Sequence, residues 1–399
     1  MSTVELRTTG LAVGGEAIAR EASGRVVFVG GALPDEVVRA DLFESKRRHA
    51  RGQAIEVLAP SPDRAVPPCP HVAQGCGGCD WQHVDLLAQP RLRRSIVAEV
   101  LHRTAGIDAP SVAAGPALAA EGLRTTVRGI ADDAGRFSFR RRRSHDPVEA
   151  TGCLVAHPLV REVIDEASFA PGSTVTIRVG ARTGDRLVTV GPSAAGAEVP
   201  AGVAVVGEDE LRAGRRAWIH EEAAGRRWRI SSGSFFQASP EGAEALVSAV
   251  SALVAEHAPE PERLVDLCCG VGLFAGALGH PSRSVVGIER GASSVADARH
   301  NLADLDARIV KVAMERWRPS PADVLVADPA RAGLGAAVVE SIAATGAGLC
   351  ALVSCDPGSL GRDARLLVEA GYDHVGSTVI DLFGHSSHIE VVSGFVRRR

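Results

Sequence analysis

No stretch of this chain of 399 residues approaches the roughly 20 consecutive apolar residues that a membrane-spanning helix needs. A helical channel or carrier is thereby excluded. The first residues, Met1-Ser2-Thr3-Val4-Glu5-Leu6-Arg7, lack the basic region and apolar core of a secretory signal. A cytoplasmic protein with reduced thiols is therefore expected, and its eight cysteines are not expected to form a disulfide framework. Internal repeats and low-complexity segments are absent. Excess positive charge is absent too: the formal net charge is −4, so a surface for a polyanion would have to be local. What remains, 45% hydrophobic and 23% charged residues, is the composition of a soluble globular chain long enough for two or three domains.

Residues 1–58 carry short Val-rich runs broken by glycine, which predicts a small β-barrel. Pro60-Ser61-Pro62 and Pro67-Pro68 mark a linker. Residues 85–106 have helical periodicity, through Leu86, Leu87, Ile96, Val97, Val100 and Leu101. Residues 120–230 read as mostly strands with glycine turns. Residues 231–399 alternate strand and helix, which predicts an α/β, doubly wound sheet. The expected units are thus 1–58, 59–230 and 231–399. Two basic runs stand out, Lys46-Arg47-Arg48-His49-Ala50-Arg51 and Arg136-Phe137-Ser138-Phe139-Arg140-Arg141-Arg142-Arg143. The second interleaves rings and guanidiniums, as a nucleic-acid strand would want; a plain solvated charge run is the alternative.

Four apolar runs in the last third stop at chemically useful residues. Gly348-Leu349-Cys350-Ala351-Leu352-Val353 runs on to Ser354-Cys355-Asp356-Pro357, and open α/β sheets bind ligands where their strands stop. Cys355 is there either a nucleophile or a small buried thiol. Leu264-Val265-Asp266-Leu267-Cys268-Cys269 leads into Gly270-Val271-Gly272 and a short helix, a turn that lets backbone approach a ligand. Val285-Val286-Gly287-Ile288 ends at Glu289, where an acid typically holds ribose hydroxyls. Position 275 is alanine, so the dinucleotide fingerprint is incomplete and a single adenosine-type cofactor fits better. Asp323-Val324-Leu325-Val326-Ala327 ends at Asp328, before Pro329-Ala330-Arg331-Ala332-Gly333. Glu390 lies in the strand-like run Ile389-Glu390-Val391-Val392. It is either buried with a role or on an exposed face.

Cys69, Cys76 and Cys79 form a tight cluster with Gly77-Gly78 between the last two, and Cys153 could add a fourth thiolate. Four thiolates suit zinc or an iron–sulfur cluster, and the wide first spacing with a distant fourth cysteine favours the cluster. Cys268, Cys269 and Cys350 are expected to fill core.

Together these segments resemble the RNA uracil-5-methyltransferase family, which makes 5-methyluridine in transfer and ribosomal RNA, and the resemblance runs nearly end to end. Residues 26–38 look like the family's N-terminal TRAM barrel, and Cys69 to Gln82, with Cys-Gly-Gly-Cys-Asp-Trp-Gln, like its iron–sulfur motif. Ser234-Phe235-Phe236-Gln237 looks like the segment opening its methyltransferase domain. Ser354-Cys355-Asp356-Pro357 and His388-Ile389-Glu390 look like its nucleophile and base motifs. The chain departs from the family pattern at Cys268, Leu273, Ala330 and Asp356.

The resemblance implies a Rossmann-like methyltransferase domain preceded by a TRAM/OB-like barrel and a central β-rich iron–sulfur domain. It implies S-adenosylmethionine as methyl donor, held by Gln237, Cys268, Gly270, Gly272, Glu289 and Asp328; Asp328 would serve the uracil edge, the cofactor side, or both. A [4Fe-4S] cluster would sit on Cys69, Cys76, Cys79 and Cys153. Cys355 would add to carbon 6 of uracil and Glu390 would take the proton from carbon 5. A free thiol titrates at about 8.5, so the site is expected to help Cys355 ionise or to couple its ionisation to substrate binding. The partner is structured RNA with a flipped-out base, and the enzyme is expected to be a monomer. Two other classes compete: an RNA-binding protein with an inactive methyltransferase fold, and a radical methylthiotransferase. The latter wants Cys-x3-Cys-x2-Cys, whereas this chain has Cys-x6-Cys-x2-Cys.

Overall fold

The structure, a computed structural model, describes residues 2–399. Alternation of apolar and polar residues builds the first unit. In Val26–Gly30, Val27 and Val29 are buried while Val26 and Phe28 are only half-buried, the period-two signature of a strand with one face inward. Five such strands, Ser2–Leu11, Ala17–Arg20, Val26–Gly30, Val37–Ser45 and His49–Ala59, close into a barrel. Leu6, Ala17, Ala19, Val27, Val29, Val38 and Ala40 fill it.

A second sheet of six strands runs, in spatial order, Ala204–Gly207, Arg186–Gly191, Thr174–Val179, Thr126–Ala131, Phe137–Arg140, Pro147–Glu149. The helix Pro158–Glu166 turns Val160, Val163 and Ile164 into its core.

The third sheet has eight strands: Ala307–Lys311, Ser284–Glu289, Arg263–Leu267, Val324–Ala327, Leu349–Ser354, Glu390–Arg397, Tyr372–Ile380 and Val112–Ala114. The first five are parallel, and only Glu390–Arg397 runs against its neighbours. The central strands are apolar on both faces: all six residues of Leu349–Ser354 are buried, as a parallel strand covered by helices on both sides requires. This is the doubly wound sheet that the alternation of 231–399 predicts.

The boundaries within 59–230 differ from expectation. Val112–Ala114 is the edge strand of the third sheet, paired with Ser377–Val379. The helix Gln89–Ala105 lays Leu92, Ile96, Val97 and Leu101 into that sheet's core. The expected middle unit thus gives its helix and this edge strand, residues 89–114, to the C-terminal layer. The periodicity at 85–106 announces a helix but not the partner for its apolar face.

Arg93, on that helix, is fully buried. It pairs with Asp381, donates to the carbonyls of Phe383 (3.0 Å) and Ser386 (2.6 Å) and to Gln89 Oε1 (3.0 Å), and stacks 5.3 Å from the Trp81 ring centroid. A buried guanidinium is tolerated when most of its donors are so occupied; here both terminal nitrogens are, and Nε alone is buried without a partner. Arg93→Leu leaves those acceptors without their donor inside the protein and is expected to lower the stability of the fold by about 3 kcal/mol. Chemical denaturation of the full chain checks this; an unchanged midpoint would contradict the packing argument.

Candidate active site

The register of the parallel strands sets the geometry. Leu267 stands beside both Ile288 and Ala327, and Ala327 beside Leu352. The residues that follow, Cys268, Glu289 and Asp328, therefore leave the sheet along one edge. On the antiparallel side Ser354 stands opposite Val391, so Cys355 and Glu390 face each other one step beyond. With Gln237 and Gly270, all five line one cavity of about 660 Å³.

At the turn after Arg263–Leu267, Cys268, Gly270 and Gly272 have φ of +66°, +56° and +96°. Gly270 faces the cavity. Gly272, expected to touch a cofactor, lies behind it: a Cβ there would come within 2.9 Å of Leu302, so packing requires this glycine. Glu289 accepts from the backbone N–H of Gly270 (3.1 Å) and Gly291 (2.5 Å), tying one strand end to its neighbour's turn. Asp266, not singled out from sequence, is fully buried behind the turn and accepts from Ala275 N at 2.8 Å. Burial pushes its carboxyl up to about 7.

Gln237 is held from below. Asp297, fully buried, accepts from Ser234 Oγ (2.6 Å), Ser231 N (2.8 Å) and Arg229 Nε (2.8 Å), pinning the segment that leads to Gln237. Gln237 Nε2 then donates to Asp328 Oδ2 at 3.3 Å. Asp356, where the family pattern differs, caps the helix Pro357–Glu369 by accepting from Ser359 N at 2.7 Å.

Electrostatically the site disfavours charge. Glu390 is only 4% exposed, and burial and then the Asp328 charge push its carboxyl well above the usual range. Burial likewise pushes Asp328 to about 7, though it keeps some surface open to the cavity. Cys355 is pushed up to about 11, first by burial and then by the charges of Glu390 and Asp328, with Arg331 opposing. This corrects half of the expectation: the free site does not help the thiol ionise. Sequence spacing gives no warning of it, since the acids come from other strands. Glu390 is not on an exposed face.

The four cysteines of the predicted cluster converge. Cys69, Cys76 and Cys79 from one segment and Cys153 from another line one small cavity with Gln82 and Arg124. Burial raises Cys76 and Cys153 and pushes Cys79 to about 11. Among the described residues, no three His, Cys, Asp or Glu side chains are grouped closely enough to hold a metal ion, so the iron–sulfur centre and the central iron–sulfur domain are not shown.

The basic run at 136–143 also needs correction. Phe137 is buried and meets Phe139 edge-on at 5.3 Å, so these rings pack inward rather than facing bases. The arginines 140–143 are exposed, as are Lys46, Arg47 and Arg48. Arg143 lies 5.1 Å over Phe43 of the barrel, three residues before the first run. No described helix is long and apolar enough to cross a membrane.

A family model for the TRAM domain matches residues 2–55. The chain is 37% identical to an uncharacterized RNA methyltransferase of Streptomyces avermitilis, over 96% of this chain and 95% of that protein. It is 30% identical to the 23S rRNA (uracil(1939)-C(5))-methyltransferase RlmD of Chromohalobacter salexigens, over 95% of this chain and 86% of the relative. The solved structure of the tRNA (uracil-54, C5)-methyltransferase of Pyrococcus abyssi with S-adenosyl-L-homocysteine aligns with a TM-score of 0.74. It covers 98% of this chain and 99% of its own at 22% identity, a likeness of fold.

A thiol held near 11 is a poor nucleophile in the free protein. Alkylation of Cys355 by iodoacetamide, followed by peptide mass spectrometry, should be slow at pH 7, rise about tenfold per pH unit and level off only near pH 11. In Glu390→Gln the midpoint should move down, because one of the charges opposing the thiolate is gone. A wild-type midpoint at or below 8 would contradict this electrostatic account.

Proposed function

This chain belongs to the RNA uracil-C5 methyltransferase family, and from that premise we propose that it methylates carbon 5 of a uridine in structured ribosomal or transfer RNA through a covalent Cys355–uracil intermediate. The observation that carries the reading is the strand register that sets Cys355 and Glu390 opposite each other in a cavity also bordered by Asp328 and Gln237.

Carbon 5 of uracil is a weak nucleophile. In the proposed reaction Cys355 loses its proton to solvent and its sulfur forms a bond to carbon 6. The carbon 5–carbon 6 electron pair then moves into the ring as an enolate, and carbon 5 takes the methyl group, the pair of the broken methyl–sulfur bond staying with the departing neutral thioether. Glu390 accepts the proton from carbon 5. The electron pair left behind restores the double bond as the carbon 6–sulfur bond breaks and the thiolate departs. A carboxylate in so dry a pocket is a stronger base than an exposed one, which suits this step. Bound S-adenosylmethionine supplies the electrophilic methyl group and a positive sulfonium, whose charge favours the ionised forms of the thiol and the acids around it. Glu289 would hold its ribose hydroxyls, Gly270 allows close approach of backbone, and Ile288, Val312 and Met314 offer an apolar wall to its base. Gln237 and Asp328, already hydrogen-bonded to each other, would serve the boundary between cofactor and uracil.

The barrel and the exposed Lys46–Arg48 and Arg140–Arg143 runs supply the sequence-independent part of RNA binding by neutralising phosphates. Cys69, Cys76, Cys79 and Cys153, which share one small cavity, are the thiols that would hold a [4Fe-4S] cluster, and such a cluster would tie their segments together. The methylation itself needs no electron. The reading assigns the enzyme to the cytoplasm, with its RNA.

Glu390→Gln is expected to allow attack and methyl transfer but to stall at elimination. A methylated protein–RNA adduct should then persist on a denaturing gel with natural RNA. Cys355→Ala should give no adduct and no product. Wild-type protein should be trapped by RNA containing 5-fluorouracil, because fluorine cannot leave as a proton does. Substantial turnover by Cys355→Ala would sink the covalent mechanism.

A further inference from the structure

The nine residues before Glu390 form a loop, Asp381–Ile389, whose fastening the reaction does not by itself explain. The loop is clamped by the segment that follows the cysteine cluster. Asp80, next to Cys79, accepts from both Ser387 N (2.7 Å) and Ser387 Oγ (2.6 Å). Trp81 N donates to the His385 carbonyl at 2.9 Å, and Gln89 Oε1 accepts from His385 N at 3.1 Å. Ser386 Oγ accepts in turn from His388 N at 3.1 Å. On the other side Trp81 Nε1 donates to the Gly15 carbonyl of the barrel at 3.3 Å. A Cβ at Gly15 would come within 2.2 Å of Trp81 and 2.6 Å of Ser387, so barrel, cysteine segment and loop are in direct contact there.

We infer that Asp80 is a positioning residue for Glu390: by gripping Ser387 through both carboxylate oxygens it fixes the start of the strand Glu390–Arg397 and holds the base across from Cys355. The inference rests on the assignment of Glu390 as the base. The physical grounds are three. Both carboxylate oxygens accept from one residue, one from its backbone and one from its side chain, which fixes orientation as well as position. Ser387 is three residues from Glu390, too short a tether to absorb a shift. Asp80 does not line the reaction cavity, so it acts through the loop and not on the substrate. A displacement of about 1 Å at a reacting group costs on the order of a hundredfold in rate. It follows that whatever orders the cysteine segment, and whatever seats the barrel on Trp81, also sets the base.

The test follows single turnovers of the full chain, purified anaerobically, on natural RNA. Adduct formation and adduct decay are read separately on denaturing gels, beside cofactor affinity by calorimetry. Asp80→Ala should form the methylated adduct at close to the wild-type rate and lose it on the order of a hundredfold more slowly. Ser387→Ala, which keeps the backbone bond to Asp80, should slow decay by roughly tenfold. Cofactor affinity should be unchanged in both. In the free protein, Asp80→Ala should also lower the pH midpoint of Cys355 alkylation, because Glu390 is no longer held against the thiol. Wild-type decay in Asp80→Ala, beside a Glu390→Gln protein that does trap adduct, overturns the inference alone. Equal loss of cofactor binding, adduct formation and decay in Asp80→Ala, with Ser387→Ala like wild type, marks a merely structural role and also overturns it. A Glu390→Gln protein that turns over normally overturns the base assignment and this inference with it.

Discussion

The in-register end of the parallel strands is the constraint on which the chemistry depends. A parallel ladder fixes which residues stand side by side, and here it sets Leu267, Ile288, Ala327 and Leu352 in one row. The residues just past that row are then obliged to share an edge, whatever their separation along the chain. A slip of one residue would turn each side chain to the other face of the sheet. The single antiparallel strand completes the arrangement, since only a returning strand can begin, at Glu390, where its neighbour stops, at Ser354. The proposed nucleophile and base are thus opposite because of topology, and no local motif needs to place them.

The same edge makes the site electrostatically reluctant. Asp266, Asp328 and Glu390 are all removed from water, and their neutral forms are favoured. With folded values above the unfolded ones, each contributes stability fully below the ordinary carboxylate range and loses it as pH rises through its folded value. At neutral pH the pocket is therefore strained toward accepting positive charge. A cationic cofactor relieves that strain, whereas an anionic nucleophile adds to it. This accounts for a thiol near 11 at a position where sequence alone suggests activation.

Much of this was legible in the residues. Apolar runs that stop at Cys268, Glu289, Asp328 and Cys355 predict strand ends, and all four strands form within one or two residues of expectation. The glycine turn also reads correctly, although its second glycine answers to Leu302 instead of a ligand. Three things were not legible. The helix Gln89–Ala105 shows its periodicity but not its partner. Phe137 and Phe139 sit among arginines in sequence, yet strand alternation turns Phe137 into the core. The acids are raised first by burial, which only the fold creates, and Asp266 and Glu390 then by Asp328, a charge each meets only across the folded sheet.

The joint at Trp81 ties the N-terminal barrel and the cysteine segment to the loop before Glu390. Arg93, buried without any exposure, spans the Trp81 ring, Asp381 and the carbonyls of Phe383 and Ser386. A guanidinium presents its donors in a fixed planar fork, so these partners cannot drift independently. Asp80 adds the grip on Ser387 from the opposite side. The loop before Glu390 has little regular structure of its own, and a loop of that length would ordinarily sample many conformations. Its order is imported, from a helix that joins the catalytic sheet and from a segment that leaves the cysteine cavity. The loop that leads to Glu390, the proposed base, is therefore held by residues nearly three hundred positions away, and the barrel turn at Gly15 closes against the same joint.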